Sequence, residues 1–429
     1  MGSSVFQATP HPILHSPTQL PSVASIGNPE ITCIIFSYYD ITLATYEDEF
    51  DSVFANISDA TLSEDGKLNF TQLATKYGYS ADQYDLTTED GYILTLFNLP
   101  GNGPSVLLFH GVDDICDTFI IRGNISISIT LANAGYNIWL GNSRGTKYGR
   151  RHVTLDPDAN KEEFWDYSFH EIGSYDLAAT IDFIRNKTGE DSIATIGHSQ
   201  GTTAHYVLAS TRPEYNERIK VTISLAPIAF LSNLAPPVSL VADVGPAISL
   251  LFKSLGMEEI LQDRKALSNI VTLICSKGLI SYALCGFGAL FPFSGVDPSN
   301  IEPEFLRTIF GHYPAATSRK SLVHFDQVYL RKRFSQYDYG TIKNLAKYGS
   351  IAPPDYDLSA ITAKIALIAG KNDQLSKVKD VEHLRDRLPN VVHYEVSEPK
   401  LWSHLDFVWA KTLPIHVYPT IFKILEKYV

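Results

Sequence analysis

The sequence predicts an α/β domain: a mostly parallel central sheet with helices on both faces, and a helical cap inserted late in the chain. Three observations predict it. Short apolar runs alternate with helix-compatible segments along most of the chain. The runs are continuous rather than alternating, which is how strands covered on both faces read. The rhythm stops between about Pro227 and Pro354, where apolar segments such as Val238–Leu255 and Ile270–Leu290 look helical, and it then resumes.

The elements follow in order. Tyr84 to Thr88 and Tyr92 to Leu96 alternate as half-buried strands joined at Glu89-Asp90-Gly91, a β-hairpin that opens the domain. Val106–Phe109, Tyr136–Leu140, Ile193–Ile196, Val221–Leu225, Ile365–Ile368 and Val391–Val396 are the continuous strand candidates. Residues 1–65 read as a leader and lead-in, 66–226 with 355–429 as the sheet domain, and 227–354 as the cap.

Composition narrows the function classes. The chain has 429 residues, 45% of them hydrophobic, enough for one large core with an insertion. A net charge of −12 removes the electrostatic footprint expected of a nucleic-acid partner. Four cysteines, Cys33, Cys116, Cys275 and Cys285, show no Cys-x-x-Cys spacing for zinc. Cys275 and Cys285 are close enough in sequence to close a short loop. Sequons at Asn56, Asn69, Asn124 and Asn186 fit passage through the secretory route. Residues 1–30 hold no basic stretch followed by an apolar core, and the nearest candidate, Ile31 to Thr45, is interrupted by Asp40. An atypical signal or a different native start is therefore expected, and no apolar run reaches the roughly 18 residues of a transmembrane anchor.

Gly197-His198-Ser199-Gln200-Gly201 follows the strand Ile193–Ile196 and precedes the helix-compatible run Thr202–Ser210. That strand–turn–helix setting is what a nucleophile elbow requires, with Ser199 on a strained turn and the glycines admitting close neighbours. A buried serine in a glycine-rich turn is the plainer alternative. The acid and base follow the serine in the order acid, then histidine. Asp373 ends the strand Ile365–Ile368, at the edge where open α/β sheets gather their reactive groups. Asp380 falls within the next helix. Among the later histidines, His383 lies in that helix, His393 within a strand and His416 beside the last helix, which leaves His404 on the loop after Val391–Val396. His404 is read as the base and Asp373 as its orienting partner. The oxyanion donors are read as the backbone N–H groups of Gln200 and of Val112, the latter in Phe109-His110-Gly111-Val112.

His110-Gly111, the run Ala134 to Gly145, the run Phe164 to Glu171, the serine motif and His404-Leu405-Asp406-Phe407 together resemble the acid lipase family, which includes gastric and lysosomal acid lipases. The resemblance runs from about Tyr77 to the carboxyl terminus. It implies an α/β-hydrolase fold, hydrolysis of triacylglycerols or cholesteryl esters at a lipid–water interface, and a lid. It also implies secretion or lysosomal residence and no cofactor. It carries the family's roles to Ser199, Asp373 and His404, with Val112 and Gln200 in the oxyanion hole. Cys275 and Cys285 fall where the family tends to have a cap disulfide. In one departure, Asp113-Asp114 stands where the family usually has an apolar residue, and a carboxylate there opposes an oxyanion unless it is turned to solvent or paired.

Apolar cap segments at Leu250-Leu251-Phe252, Leu279-Ile280 and Phe287 to Phe293 are candidates for an acyl channel, or simply the core of the cap. Arg144, His152, Trp165 and Asp166 read as scaffolding. A catalytically silent lipid carrier or a peptidase on the same fold are the competing classes, and oligomeric state is not legible.

Overall fold

The computed structural model describes residues 62–261, 294, 295, 297 and 299–429. The leader up to residue 61, Cys33, Asn56, Cys275, Cys285 and the cap segments Ile270–Leu290, Leu279-Ile280 and Phe287 to Phe293 lie outside the described residues.

The strands are β1 (Asp82–Thr87), β2 (Ile93–Leu99), β3 (Ser105–Phe109), β4 (Asn137–Gly141), β5 (Ile193–His198), β6 (Ile219–Leu225), β7 (Glu259–Ile260), β8 (Thr317–Ser318), β9 (Ile365–Ala369) and β10 (Val391–Val396). Eight of them form one sheet in the order β1-β2-β4-β3-β5-β6-β9-β10. β1 and β2 form the antiparallel hairpin, β2 meets β4 antiparallel, and every later pairing is parallel. The longer helices are α1 (Phe70–Lys76), α2 (Ile127–Asn133), α3 (Ala178–Thr188), α4 (Gln200–Thr211), α5 (Val238–Ser254), α6 (Pro303–His312), α7 (Arg319–Arg331), α8 (Thr341–Tyr348), α9 (Val378–Arg385) and α10 (Tyr418–Tyr428).

β3 shows why the strands are apolar without a break. Val106 and Leu108 pack on one side with α2 and α10 through Ile129 and Ile421, while Leu107 and Phe109 pack on the other with α3 and α4 through Ile181 and Leu208. Successive side chains point to opposite faces of a strand, so a sheet covered twice buries every residue.

Between β6 and β9 the chain leaves the sheet and builds α5 to α8. No strand candidate in this stretch is convincing from sequence, and the two that form, β7 and β8, pair antiparallel over two residues each. Such short pairs carry no readable periodicity. α5 spans the predicted Val238–Leu255 almost entire and leaves Leu240, Leu250 and Leu251 at 59%, 70% and 56% exposure. The sequon residues Asn69, Asn124 and Asn186 are all exposed, and Asn69 also caps α1 by accepting from the Gln72 N–H. Among the described residues no helix is long and apolar enough to cross a membrane.

Candidate active site

β5 ends at His198, and α4 begins at Gln200, so Ser199 carries the whole change of direction. Its backbone is driven to φ 52° and ψ −121°, a conformation that an L-residue adopts only under constraint. The constraint is the tightness of the elbow. A Cβ on Gly201 would lie 2.3 Å from the Phe109 carbonyl oxygen, and one on Gly197 would lie 2.9 Å from the Gly201 carbonyl carbon. Only glycine lets α4 start this close to the end of β3. The Ser199 N–H donates to the Leu225 carbonyl at 3.1 Å, pinning the elbow to β6.

Asp373 follows β9, and His404 lies beyond β10. The Asp373 carboxylate uses both oxygens. Oδ1 accepts from the Leu375 and Ser376 N–H groups at 2.8 and 2.7 Å, and Oδ2 accepts from His404 Nδ1 at 2.8 Å. With the ring proton drawn to Nδ1, Nε2 is left as an acceptor, and it stands 2.8 Å from Ser199 Oγ. Ser199, Asp373 and His404 are brought together, although the histidine is 205 positions from the serine. All three are buried, at 5%, 1% and 3% exposure, so the chain of hydrogen bonds is shielded from water.

The loop carrying His404 is held on several sides. The His404 N–H donates to the Ser294 carbonyl at 2.9 Å, the Ser403 N–H to Asp406 Oδ2 at 2.6 Å, and His198 Nε2 donates to the His404 carbonyl at 3.0 Å. Burial pushes the His198 ring down to about 3, so it stays neutral beside the His404 ring, 5.0 Å away between centroids. Sequence reasoning passed over His198. Its place inside the elbow was the available signal, but a bond spanning 206 positions is not readable from spacing.

The segment read as the second oxyanion donor also meets the serine. A Cβ on Gly111 would come within 3.1 Å of Ser199 Cβ and 3.6 Å of Oγ, so the backbone before Val112 runs directly beside the nucleophile position. His110 anchors the start of this loop: its Nδ1 donates to the Gly111 carbonyl at 2.8 Å, and its Nε2 accepts from the Ser143 N–H at 3.1 Å. Gln200 begins α4 beside Ser199, and its side chain is fixed by Ser321 of α7, whose hydroxyl donates to Oε1 at 3.2 Å.

Asp113 and Asp114 answer the question that the sequence raised in a third way. Asp113 Oδ1 is wholly enclosed with no hydrogen-bond partner, whereas the Asp114 carboxyl accepts from the Ile115 N–H at 2.8 Å and also engages the Thr118 side chain. Among the described residues neither side chain is paired with a cation. Burial pushes them up to about 7 and about 8, which keeps both neutral in acid.

Arg144 is fully buried between Asp176 and Asp90, at 2.6 Å from each, with its guanidinium 3.9 Å over the Tyr92 ring. His152 Nε2 donates to the Asp90 carbonyl, Trp165 Nε1 donates to the Pro157 carbonyl, and Asp166 pairs with Lys320 at 2.9 Å. These contacts brace the hairpin and the segment before α3, away from the serine. Among the described residues no group of three or more His, Cys, Asp and Glu is arranged to hold a metal ion.

The sequence matches the α/β hydrolase fold family over residues 104–410 and a partial α/β-hydrolase lipase region over residues 70–123. It is 36% identical to Lipase 1 of Drosophila melanogaster over 368 residues, covering 85% of this chain and 81% of that one. It is 36% identical to gastric triacylglycerol lipase of Mus musculus, covering 83% and 91% of the two chains. Identity to lysosomal acid lipase/cholesteryl ester hydrolase of Homo sapiens is 33%, with 84% and 91% covered.

Proposed function

The chain belongs to the acid lipase family of α/β hydrolases and is a lipid ester hydrolase, and on that premise we propose that it cleaves triacylglycerols or cholesteryl esters by a serine acyl-enzyme mechanism. The observation that carries the reading is the continuous line from Asp373 through His404 to Ser199, with both contacts at 2.8 Å.

His404 Nε2 takes the Ser199 hydroxyl proton as Oγ attacks the ester carbonyl carbon. Asp373 holds the ring with its proton on Nδ1 and stabilises the imidazolium that forms. The negative oxygen of the tetrahedral intermediate is received by the Gln200 and Val112 N–H groups. His404 then gives its proton to the leaving alcohol, and an acyl-serine remains. Water, deprotonated by the same Nε2, attacks the acyl-serine, releases the fatty acid and restores Ser199.

Residues 227–354 serve as the cap in this proposal, and the exposed apolar side chains of α5 supply surface for an acyl chain or a lipid interface. The same reading places the protein outside the cell or in the lysosome, which the exposed sequon asparagines suit. No cofactor enters any step.

Turnover of emulsified triolein, cholesteryl oleate and p-nitrophenyl esters by the wild-type protein and by Ser199→Ala tests the proposal. Hydrolysis that disappears in the variant supports it. Equal rates in the two proteins refute it.

A further inference from the structure

Asp113 sits one peptide beyond Val112, in the loop whose backbone runs against Ser199. Its own backbone has φ 55°, the left-handed region, so the turn that aims this loop passes through a strained aspartate. Its carbonyl accepts from the Ala315 N–H at 2.5 Å, which ties the loop to the segment after α6. The side chain is only partly covered as a whole, yet Oδ1 is sealed off and has no hydrogen-bond partner. A carboxylate oxygen held this way lacks both water and a cation.

The surrounding charges do not relieve it. Asp114 is adjacent and also buried, and the Tyr313 phenol, just after α6, lies within electrostatic reach of both carboxyls. Asp117 lies farther along the loop and engages Lys147 at 2.6 Å and the His312 ring at 2.8 Å, so neither is turned to Asp113. His110, at the start of the loop, is pushed down to about 4 by burial and stays neutral.

We propose that Asp113, as a neutral carboxylic acid, is a positioning residue of the oxyanion loop. It keeps the Gly111–Val112 backbone against Ser199, and loss of its proton dislodges that backbone. An ionised Asp113 leaves charge on the sealed Oδ1, and the nearest relief is movement of its own turn to bring water to that oxygen, which draws the Val112 N–H away from the forming oxyanion. A charge left in place opposes the oxyanion directly. Either response lowers the rate of acylation while leaving the Asp373–His404–Ser199 line unaltered. The proposal rests on the serine hydrolase reading above. Burial alone raises the Asp113 carboxyl to about 7, which sets where the loss occurs.

The test is the pH profile of kcat/KM, from about 4 to 9, for a soluble short-chain p-nitrophenyl ester. Wild type, Asp113→Asn and Asp114→Asn are compared, with the Ser199→Ala rate subtracted. The wild-type value is expected to fall above about pH 7, roughly tenfold per unit for a single ionisation. Asp113→Asn should lose this fall, so that its rate relative to wild type grows roughly tenfold between pH 5 and pH 8. Asp114→Asn should retain the wild-type fall near 7, because its carboxyl is already fastened to the Ile115 N–H. A wild-type profile flat from pH 6 to 8 overturns the proposal without need of any variant. So does an alkaline limb that Asp113→Asn leaves in place. Wild-type rates equal to those of Ser199→Ala at every pH reject the hydrolase reading instead. Thermal unfolding gives an independent check. Between pH 4 and about 7 the unfolded chain loses the Asp113 proton and the folded one keeps it, so the folded form loses stability as pH rises. The midpoint of Asp113→Asn should therefore gain on wild type across that window and keep a constant lead above it; a lead that does not grow counts against the proposal.

Discussion

His198 Nε2 donates to the main-chain carbonyl of His404 at 3.0 Å, joining the elbow that carries the nucleophile to the loop that carries the base. The two histidines share an edge of the site, but only the His404 ring is hydrogen-bonded to Ser199 Oγ, while His198 Nδ1 is buried without a partner. Replacing His198 with Phe removes this tie and keeps the bulk. A hydrogen bond of this kind contributes about 1 kcal/mol, so kcat is expected to fall roughly fivefold to tenfold with KM little changed. Steady-state kinetics on a soluble ester decides it; unchanged kcat means the loop holds itself.

Asp373→Asn should cost far more than its size suggests. Oδ1 is fixed by two backbone N–H groups, so the new amide nitrogen has to take the position facing His404. An N–H there forces the ring proton onto Nε2, which then points at Ser199 and no longer accepts its proton. A loss of roughly 10⁴ in kcat is expected, with KM near wild type. A loss under tenfold contradicts the assigned orientation.

Gly201→Ala places a methyl group 2.3 Å from the Phe109 carbonyl oxygen, a contact that backbone must move to relieve. Overpacking of this kind costs about 1–3 kcal/mol, and the melting midpoint should drop by several degrees. Because Phe109 leads into the oxyanion loop, kcat should fall as well. Calorimetry and ester kinetics on the same preparation check both, and a stable variant of full activity rules the packing argument out.

Four buried histidines carry an acid-side signature. Burial lowers His110, His198, His205 and His324 to about 4, 3, 4 and 3. The unfolded chain protonates near 6.5, so between that value and about 4 it binds protons that the folded chain does not, and each ring costs stability as pH falls. Buried carboxyls such as Asp113 act in the opposite sense, so the difference between two proteins is the clean measure. The midpoint of wild type minus that of His205→Gln should shrink from pH 6.5 to 4. A difference independent of pH shows that His205 is charged in the folded protein or accessible to water.

Much of the sheet and the site is legible from residues alone, for identifiable reasons. Strands such as Ile193–His198 are buried on both faces, so their apolar character is continuous and marks them one by one. The elbow announces itself because a serine turned this sharply needs glycine on both sides. Asp373 and His404 follow from chain order and from placement after strands. What escaped reading depends on distance or on company. His198 acts on a residue 206 positions away. β7 and β8 are too short to show a period. The state of Asp113 depends on how the fold encloses its Oδ1, and the Tyr313 phenol, far along the chain, lies within electrostatic reach of it. Its sequence position raised the question, and only packing answers it.

The central claim is that Ser199 is the nucleophile, activated by His404. A long-chain alkylphosphonate fluorophenyl ester, which transfers its phosphonyl group to an activated serine and releases the phenol, tests it directly when the labelled protein is digested and its peptides are weighed. One adduct per chain, on Ser199, forming at a rate greatly reduced in His404→Gln and absent in Ser199→Ala, is the predicted result. An adduct on another serine, or labelling at an unchanged rate without His404, contradicts it.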